Sequence, residues 1–469
     1  MAWTGAAKWG TQGVSWVSTV IVARLLTPGD FGLVNMATVY LGFLTLVSEF
    51  GVGAAVVSLR DLDDDQIAQL NTFSILLGIS CFVLSCAAAV PLGLFFKAPQ
   101  LPLALAVMSV SFLINAFQSV PMALLQKEMC FKLLSIIDAV RAIFLAGVTI
   151  ALAFAGFGYW TLIYGSLVSA AIATGLTVLR RPHRFAGLRG DSLKHALAFS
   201  WRVLVSRLAW YGYSNSDFVV AGKTLGQAAL GGYSLAWNIA TMPVEKITAM
   251  IGGVTPAFFS SIQKDRAALQ KYFLNITEGI ALLTFPAAFG LALVAGPFVT
   301  VLLGPKWLSV IVPLELLSLY VSVRSLAPIL PQILTVTGGT RFGMWSSLLN
   351  LVLFPPAFYI GSRWGATGIA VAWILVYPIA NIPLYWRVFK TLDLGFGAYL
   401  KVLRPTAFAC AIMSAGVLLE RRYLPEHWPA IWNLALLVLT GALLYVASIW
   451  LFFRDRIIAI YRRLRPSQD

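Results

Sequence analysis

Apolar residues follow one another along this chain in runs of about twenty, the length that crosses a hydrocarbon core of roughly 30 Å as an α-helix. Fourteen such runs are expected, over residues 3–26, 32–57, 71–96, 103–126, 135–155, 159–179, 196–221, 232–259, 272–296, 310–336, 342–361, 366–386, 405–420 and 431–453. The connections between them are short and polar. The pattern predicts an all-α, polytopic membrane protein of about fourteen transmembrane helices. Its expected divisions are an N-terminal six-helix lobe (1–180), a basic linker loop (181–195), a C-terminal six-helix lobe (196–390), and two additional helices with a basic tail (391–469).

Internal similarity supports a duplicated core. The segment Ala23–Val34 ends the first span and opens the second, and Gly222–Tyr233 does the same for the seventh and eighth, with Gly32 matched to Gly231. Six spans per half is an even number, so the copies enter the membrane in the same orientation, as parallel repeats. Substrate sites of transporters built this way lie between the halves. The last two spans have no counterpart.

Charge sets the orientation. With the N-terminus in the cytoplasm, 22 of the 34 Lys and Arg residues fall on the inner side and 7 on the outer, while Arg141, Arg202, Arg207, Lys246 and Arg324 lie within spans. That asymmetry places both termini in the cytoplasm under the positive-inside rule. The longest basic connection, RRPHRFAGLRGDSLKH, holds Arg180, Arg181, Arg184, Arg189 and Lys194 against Asp191.

Composition adds little beyond confirmation of class: 59% of residues are hydrophobic and 11% charged, against near a quarter charged in soluble domains. The net charge of +15 is spread over short connections, which suits anionic lipid headgroups or an anionic ligand rather than nucleic acid. Cys81, Cys86, Cys130 and Cys410 show neither disulfide nor zinc spacing and are read as packing residues. The N-terminus lacks a convincing cleavage site and reads as a retained first helix. No GxxxxGK[ST] loop, HExxH or paired-Cys motif is present, and His183, His195 and His427 are placed in loops. An enzyme and a resident metal are therefore not expected.

Ionisable groups in hydrocarbon cost about 2.5–3.5 kcal/mol each on insertion scales, so they face protein or a wet cavity and mark function. On span seven, Arg202, Ser206, Arg207, Trp210, Tyr213, Ser214 and Asp217 fall on one arc of the helix. Arg202 and Asp217 could equally snorkel to the two headgroup layers. Glu49 in span two and Glu245 in span eight sit one turn apart when the repeats are aligned, and a membrane carboxylate can take up and release a proton. Glu245 beside Lys246 could also be a structural pair. Arg324 falls mid-span, too deep to snorkel, with Pro328 and Pro331 following as a candidate hinge. Further prolines inside spans are Pro121, Pro243, Pro256, Pro286, Pro355, Pro356 and Pro378. Asp138 and Arg141 are spaced for a helix-surface salt bridge. Asp61, Asp63, Asp64 and Asp65 read as a solvated helix start.

The sequence also resembles a known family through Arg24-Leu25-Leu26-Thr27-Pro28 with Phe31-Gly32, and through Leu225-Gly226, Leu230-Gly231 and Tyr233-Ser234-Leu235-Ala236. Pro256-Ala257-Phe258 with Gln263 and Asp265, and Pro286 with Gly290, Pro297, Gly304 and Trp307, extend the likeness over most of 1–390. It is similar to the polysaccharide transporters of the multidrug, oligosaccharidyl-lipid and polysaccharide exporter superfamily, and most to the Wzx-type flippases that include colanic-acid exporters. Gly232 departs from that pattern, standing where relatives more often have a bulkier apolar residue. The resemblance implies an inner-membrane flippase with this superfamily's fold. Its substrate would be an undecaprenyl-diphosphate-linked oligosaccharide, moved by alternating access through a cationic cavity.

Arginine and lysine suit a diphosphate through charge-assisted hydrogen bonds. The candidates for that contact are Arg24, Arg202, Arg207, Lys246 and Arg324. Coupling to a proton or sodium gradient would draw on Glu49, Asp217 or Glu245, with no cofactor. Expected partners are the lipid-linked oligosaccharide, membrane lipids, and polysaccharide polymerase or export machinery. Three alternatives remain: a cation-coupled multidrug exporter, a lipid II flippase, and a non-transporting accessory subunit of a polysaccharide synthesis complex.

Overall fold

The computed structural model describes residues 2–48, 52–53, 56, 62–182, 184–187, 190–252, 255, 259, 261–424 and 428–464, with the side chains at 2–12, 190–204, 206, 249–252 and 455–464 outside the description. Helices follow one another throughout, and the described residues contain no strand. In chain order these are α1 (Ala2–Leu25), α2 (Pro28–Ser48), α3 (Asp64–Phe96), α4 (Leu101–Lys127), α5 (Phe131–Phe154), α6 (Trp160–Arg180), α7 (Gly190–Leu225) and α8 (Gln227–Gly252). There follow α9 (Arg266–Phe298), α10 (Ile311–Arg324), α11 (Ile329–Val336), α12 (Thr340–Gly361), α13 (Gly365–Leu392), α14 (Phe396–Tyr423) and α15 (Ala430–Leu464). Among the described residues, ten helical stretches are long and apolar enough to cross a membrane. In hydrocarbon a helix satisfies its own backbone, which is why apolar runs of this length fold this way.

The chain forms two compact units, Met1–Ser234 and Leu235–Asp469, the boundary falling inside α8. In the first unit the start of α2 is built by local chemistry. Thr27 and Asp30 form a reciprocal cap: the Thr27 backbone N–H and hydroxyl both donate to Asp30 Oδ2, at 2.8 and 2.6 Å, and the Asp30 N–H donates to Thr27 Oγ1 at 3.2 Å. Pro28 takes the first helical position, where no backbone donor is needed. The acidic run before α3 does the same work. Asp63 caps α3 in a box with Gln66, as the helix-start reading expects.

Two notches hold α2 to its neighbours. Near its N-terminal end Gly32 meets Gly231 backbone to backbone. A Cβ on Gly32 would strike the Gln227 carbonyl, and one on Gly231 the Pro28 carbonyl. Gln227 Nε2 donates across the same contact to the Gly29 carbonyl at 2.9 Å. Deeper in, the ring of Tyr211 on α7 fills the space left by Gly42, and its hydroxyl donates to the Val39 carbonyl at 3.0 Å. Gly226, at φ +84°, turns α7 into α8 in a conformation that a side chain would strain. Across that corner Tyr233 donates to the fully buried Asp217 at 2.8 Å.

The second unit closes around α11, whose Ile329, Leu330, Ile333 and Leu334 are buried with Phe273 and Ile280 of α9 and Val388 and Phe389 of α13. The final helices α14 and α15 belong to this unit, packing Val417 and Leu437 against Val294 of α9.

Several expectations change in detail. The tenth span is not continuous: α10 ends at Arg324 and α11 begins at Ile329. Pro328 and Pro331 lack the donors that would carry the helix through, and the Ser325 hydroxyl takes the Ser322 carbonyl at 2.6 Å. Bonds spanning three residues instead of four, Leu326 N–H to Val323 O at 3.4 Å and Ala327 N–H to Arg324 O at 3.1 Å, replace the ladder there. His195, expected in a loop, lies on α7, because the helix begins at Gly190 and its first turns run through Leu193 and Ala196. Asp138 and Arg141 are both exposed on α5 and form no ion pair with each other, so their spacing alone does not join them.

Adding one methyl at Gly231 forces backbone apart from backbone, where no side chain can rotate away. Gly231→Ala is therefore expected to destabilise the purified protein by roughly 1–3 kcal/mol, read as a lower thermal midpoint in detergent. Tyr233→Phe strips a donor from a buried carboxylate and should cost about 1–3 kcal/mol in the same assay, whereas Tyr40→Phe, which removes a long, exposed bond of 3.4 Å to the Leu84 carbonyl, should cost less.

Candidate functional site

The second unit gathers predicted site residues into one place. Arg324 is the last residue of α10, immediately before the break, and Glu245 lies on α8. The Arg324 Nη1 to Glu245 Oε1 distance is 3.9 Å. The guanidinium also lies over Trp237, 5.2 Å from the ring centroid. Trp237 is eight residues before Glu245, about two turns of the same helix. A cation over an aromatic face and beside a carboxylate is held by two attractions that low dielectric strengthens.

Trp237 is itself fixed from behind. It packs against Tyr320 at 6.0 Å and Trp373 at 5.4 Å between centroids. Tyr320 stacks on Trp373 at 4.9 Å, and Phe354 and Phe358 each lie 4.8 Å from Trp373. Trp373, Phe354 and Phe358 are essentially inaccessible, so the platform under Arg324 is stiff. Thr284 of α9 braces the break from another side through its hydroxyl contact with Ser325 at 2.9 Å.

The remaining predicted residues are placed separately. Lys246 follows Glu245 and is exposed. In the first unit Arg207 is exposed in the middle of α7, ten residues or about 15 Å along the axis from Asp217. Asp217 reaches no surface: it accepts from the Tyr233 hydroxyl and from the Phe218 backbone N–H at 2.9 Å. Of the polar arc expected on α7, Asp217 is thus buried while Arg207 and Trp210 are exposed. Arg24 is exposed in the last turn of α1, where a cation suits the helix dipole. The Arg202 side chain and all of Glu49 lie outside the described residues. So do His183, Arg189, Pro256, Ala257, Phe258 and His427.

Sequence reasoning missed Trp237, because one tryptophan among 15 in apolar runs carries no distinguishing pattern. It also missed how the basic linker is anchored. Asn71 Nδ2 donates to the Arg184 carbonyl at 3.1 Å, and Thr72 exchanges hydrogen bonds with the Ala186 carbonyl and N–H. Arg181 pairs with Glu128 at 2.6 Å. A short polar pair at the start of α3 was the signal available. All four cysteines are free, and among the described residues no cluster of three or more His, Cys, Asp and Glu side chains could hold a metal ion.

Comparison with known proteins agrees with this architecture. A 26% identity over 482 residues relates 99% of the chain to 96% of the succinoglycan biosynthesis transport protein ExoT of Rhizobium meliloti. The lipopolysaccharide biosynthesis protein WzxC of Escherichia coli is 27% identical over 398 residues, covering 83% of this chain and 80% of that protein. Among solved structures, the lipid II flippase MurJ in an inward closed conformation superposes with a TM-score of 0.81 at 13% identity, over 97% of this chain and all of that one. An inward-facing multidrug resistance transporter of the MATE family gives 0.66 at 16% identity, over 81% and 95%. These likenesses show the fold. Residues 21–312, well over half of the 469, match the model of a family described as polysaccharide biosynthesis protein, and the chain belongs to that family.

Proposed function

We propose that this chain is a flippase of polysaccharide biosynthesis. It moves undecaprenyl-diphosphate-linked oligosaccharide units from the inner to the outer leaflet of the bacterial inner membrane by alternating access. The observation that carries the reading, beyond family membership, is the largely buried Arg324 seated on Trp237 at a helix break. An oxyanion leaving water for a membrane protein needs such a cation, already positioned and partly desolvated. Arg24, Arg202, Arg207 and Lys246 are further cationic contacts in this proposal. Glu49, Asp217 and Glu245 are the groups through which a proton or sodium gradient would act.

The proposed topology has fourteen spans, with α10 and α11 together making one, in two six-helix lobes and an added pair. Support for two related halves comes from Gly32 and Gly231, matched positions in the two copies, lying against each other. Both termini are cytoplasmic, supported by the distribution of Lys and Arg. Polymerase or export machinery is the expected downstream partner.

A strain lacking the gene should accumulate lipid-linked repeat units on the cytoplasmic face and lose polymer. Complementation with Arg324→Ala should restore export on the order of tenfold less well than the natural chain, the loss expected when a charge-assisted hydrogen bond is removed. No accumulation in the deletion strain would overturn the reading in favour of an accessory role, and rescue of a lipid II flippase deletion would redirect it. Fusions test topology separately: alkaline phosphatase joined after Arg363 should be active and joined after Asp393 inactive.

A further inference from the structure

We infer that Glu245 is a built-in counter-ion that occupies Arg324 until an oxyanion of the cargo displaces it. The inference rests on the reading of Arg324 as an anion contact and adds a specificity residue to that site. Three observations carry it. The two partners differ in confinement: the Arg324 side chain is 26% exposed and the Glu245 side chain 59%. The guanidinium lies over Trp237, which packs against the buried Trp373, while the carboxylate is on the more exposed side of the pair. Their separation of 3.9 Å exceeds the hydrogen-bond length of about 2.7–2.9 Å for such a pair, so the contact is Coulombic and replaceable.

The physical consequence is an exchange of one oxyanion for another. A local carboxylate returns part of the solvation that a partly buried guanidinium loses while no cargo is bound. With Glu245 present, the empty state is tolerated, and an arriving dianion that bonds the guanidinium fork closely outcompetes a single carboxylate at longer range. Neutral and cationic molecules gain nothing by displacing it. Glu245 thus sets a threshold that favours multiply charged oxyanions and keeps their binding weak enough for release. The oxyanion has two possible sources, the diphosphate linkage or an acidic sugar.

The test measures binding to the full-length protein in nanodiscs of neutral lipid, by calorimetry, with inorganic pyrophosphate in one arm and glucuronate in the other. Glu245→Gln keeps the shape of the side chain and should tighten the Arg324-dependent probe roughly two- to tenfold, the competition expected from a half-exposed ion pair. Glu245→Asp, one methylene shorter, should fall between the two. Arg324→Ala should abolish binding of the same probe. Asp393→Asn controls for net charge, removing an exposed carboxylate at the end of α13 in a left-handed position that Asn tolerates, and should leave affinity unchanged. The arm that responds identifies the source.

Unchanged or weaker binding in Glu245→Gln, with Arg324→Ala still abolishing it, overturns the counter-ion inference and leaves the anion site standing. Binding that survives Arg324→Ala, or is absent from both arms in the natural chain, overturns the site and the inference together.

Discussion

Backbone presses on backbone where Gly32 of α2 meets Gly231 at the start of α8, and the first unit is arranged by that contact. Apolar side chains gain little by leaving lipid for one another, so helices in a bilayer associate through close packing and hydrogen bonds. Two facing glycines permit the closest approach, and the Gln227 amide adds a hydrogen bond to the Gly29 carbonyl at the same point. The elements around it are local supports. Thr27 and Asp30 start α2 in the right direction, Gly226 turns α7 into α8, and Tyr211 locks the deeper part of α2 into the Gly42 notch.

Charges inside the apolar helices are settled in different ways. Asp217 is enclosed, with hydrogen bonds from Tyr233 and Phe218, and it fastens the α7–α8 corner. Arg324 is only partly enclosed. Its neighbours include the Trp237 ring face and the Glu245 carboxylate at 3.9 Å. A closed polar network adds rigidity, whereas a cation beside a longer-range carboxylate is held mainly by Coulomb attraction. The helix break lies beside Arg324, where Pro328 and Pro331 interrupt the ladder, the Ser325 hydroxyl donates to the Ser322 carbonyl and Thr284 meets that hydroxyl from α9.

Much of the fold was legible because the signals are one-dimensional. A run of twenty apolar residues must be a helix in hydrocarbon whatever surrounds it, so the locations of α2 through α6 and of α9 follow from counting. The Thr27-Pro28 start and the Asp63 cap are contained within four residues, and the matched segments around Gly32 and Gly231 could be aligned by eye. The candidate site was legible only in part. Arg324 and Glu245 stood out because charge is rare in such runs, but nothing in their positions said that they face each other.

The amino-acid order by itself determined the helical class, the location of most apolar helices and the candidate charges, because each depends on neighbours in sequence or on the cost of polarity in lipid; it did not show the break after Arg324, the start of α14 nine residues before the expected span or the end of α15 eleven residues beyond it. Tertiary structure alone decided which groups are partnered. Tyr233 closes on Asp217 through the turn at Gly226, Trp237 slides beneath Arg324 from another helix, and Asn71 reaches the carbonyl of Arg184 across more than a hundred residues. Those pairings depend on helix rotation and axial offset, quantities set by how side chains of separate helices interlock and not encoded in any single run.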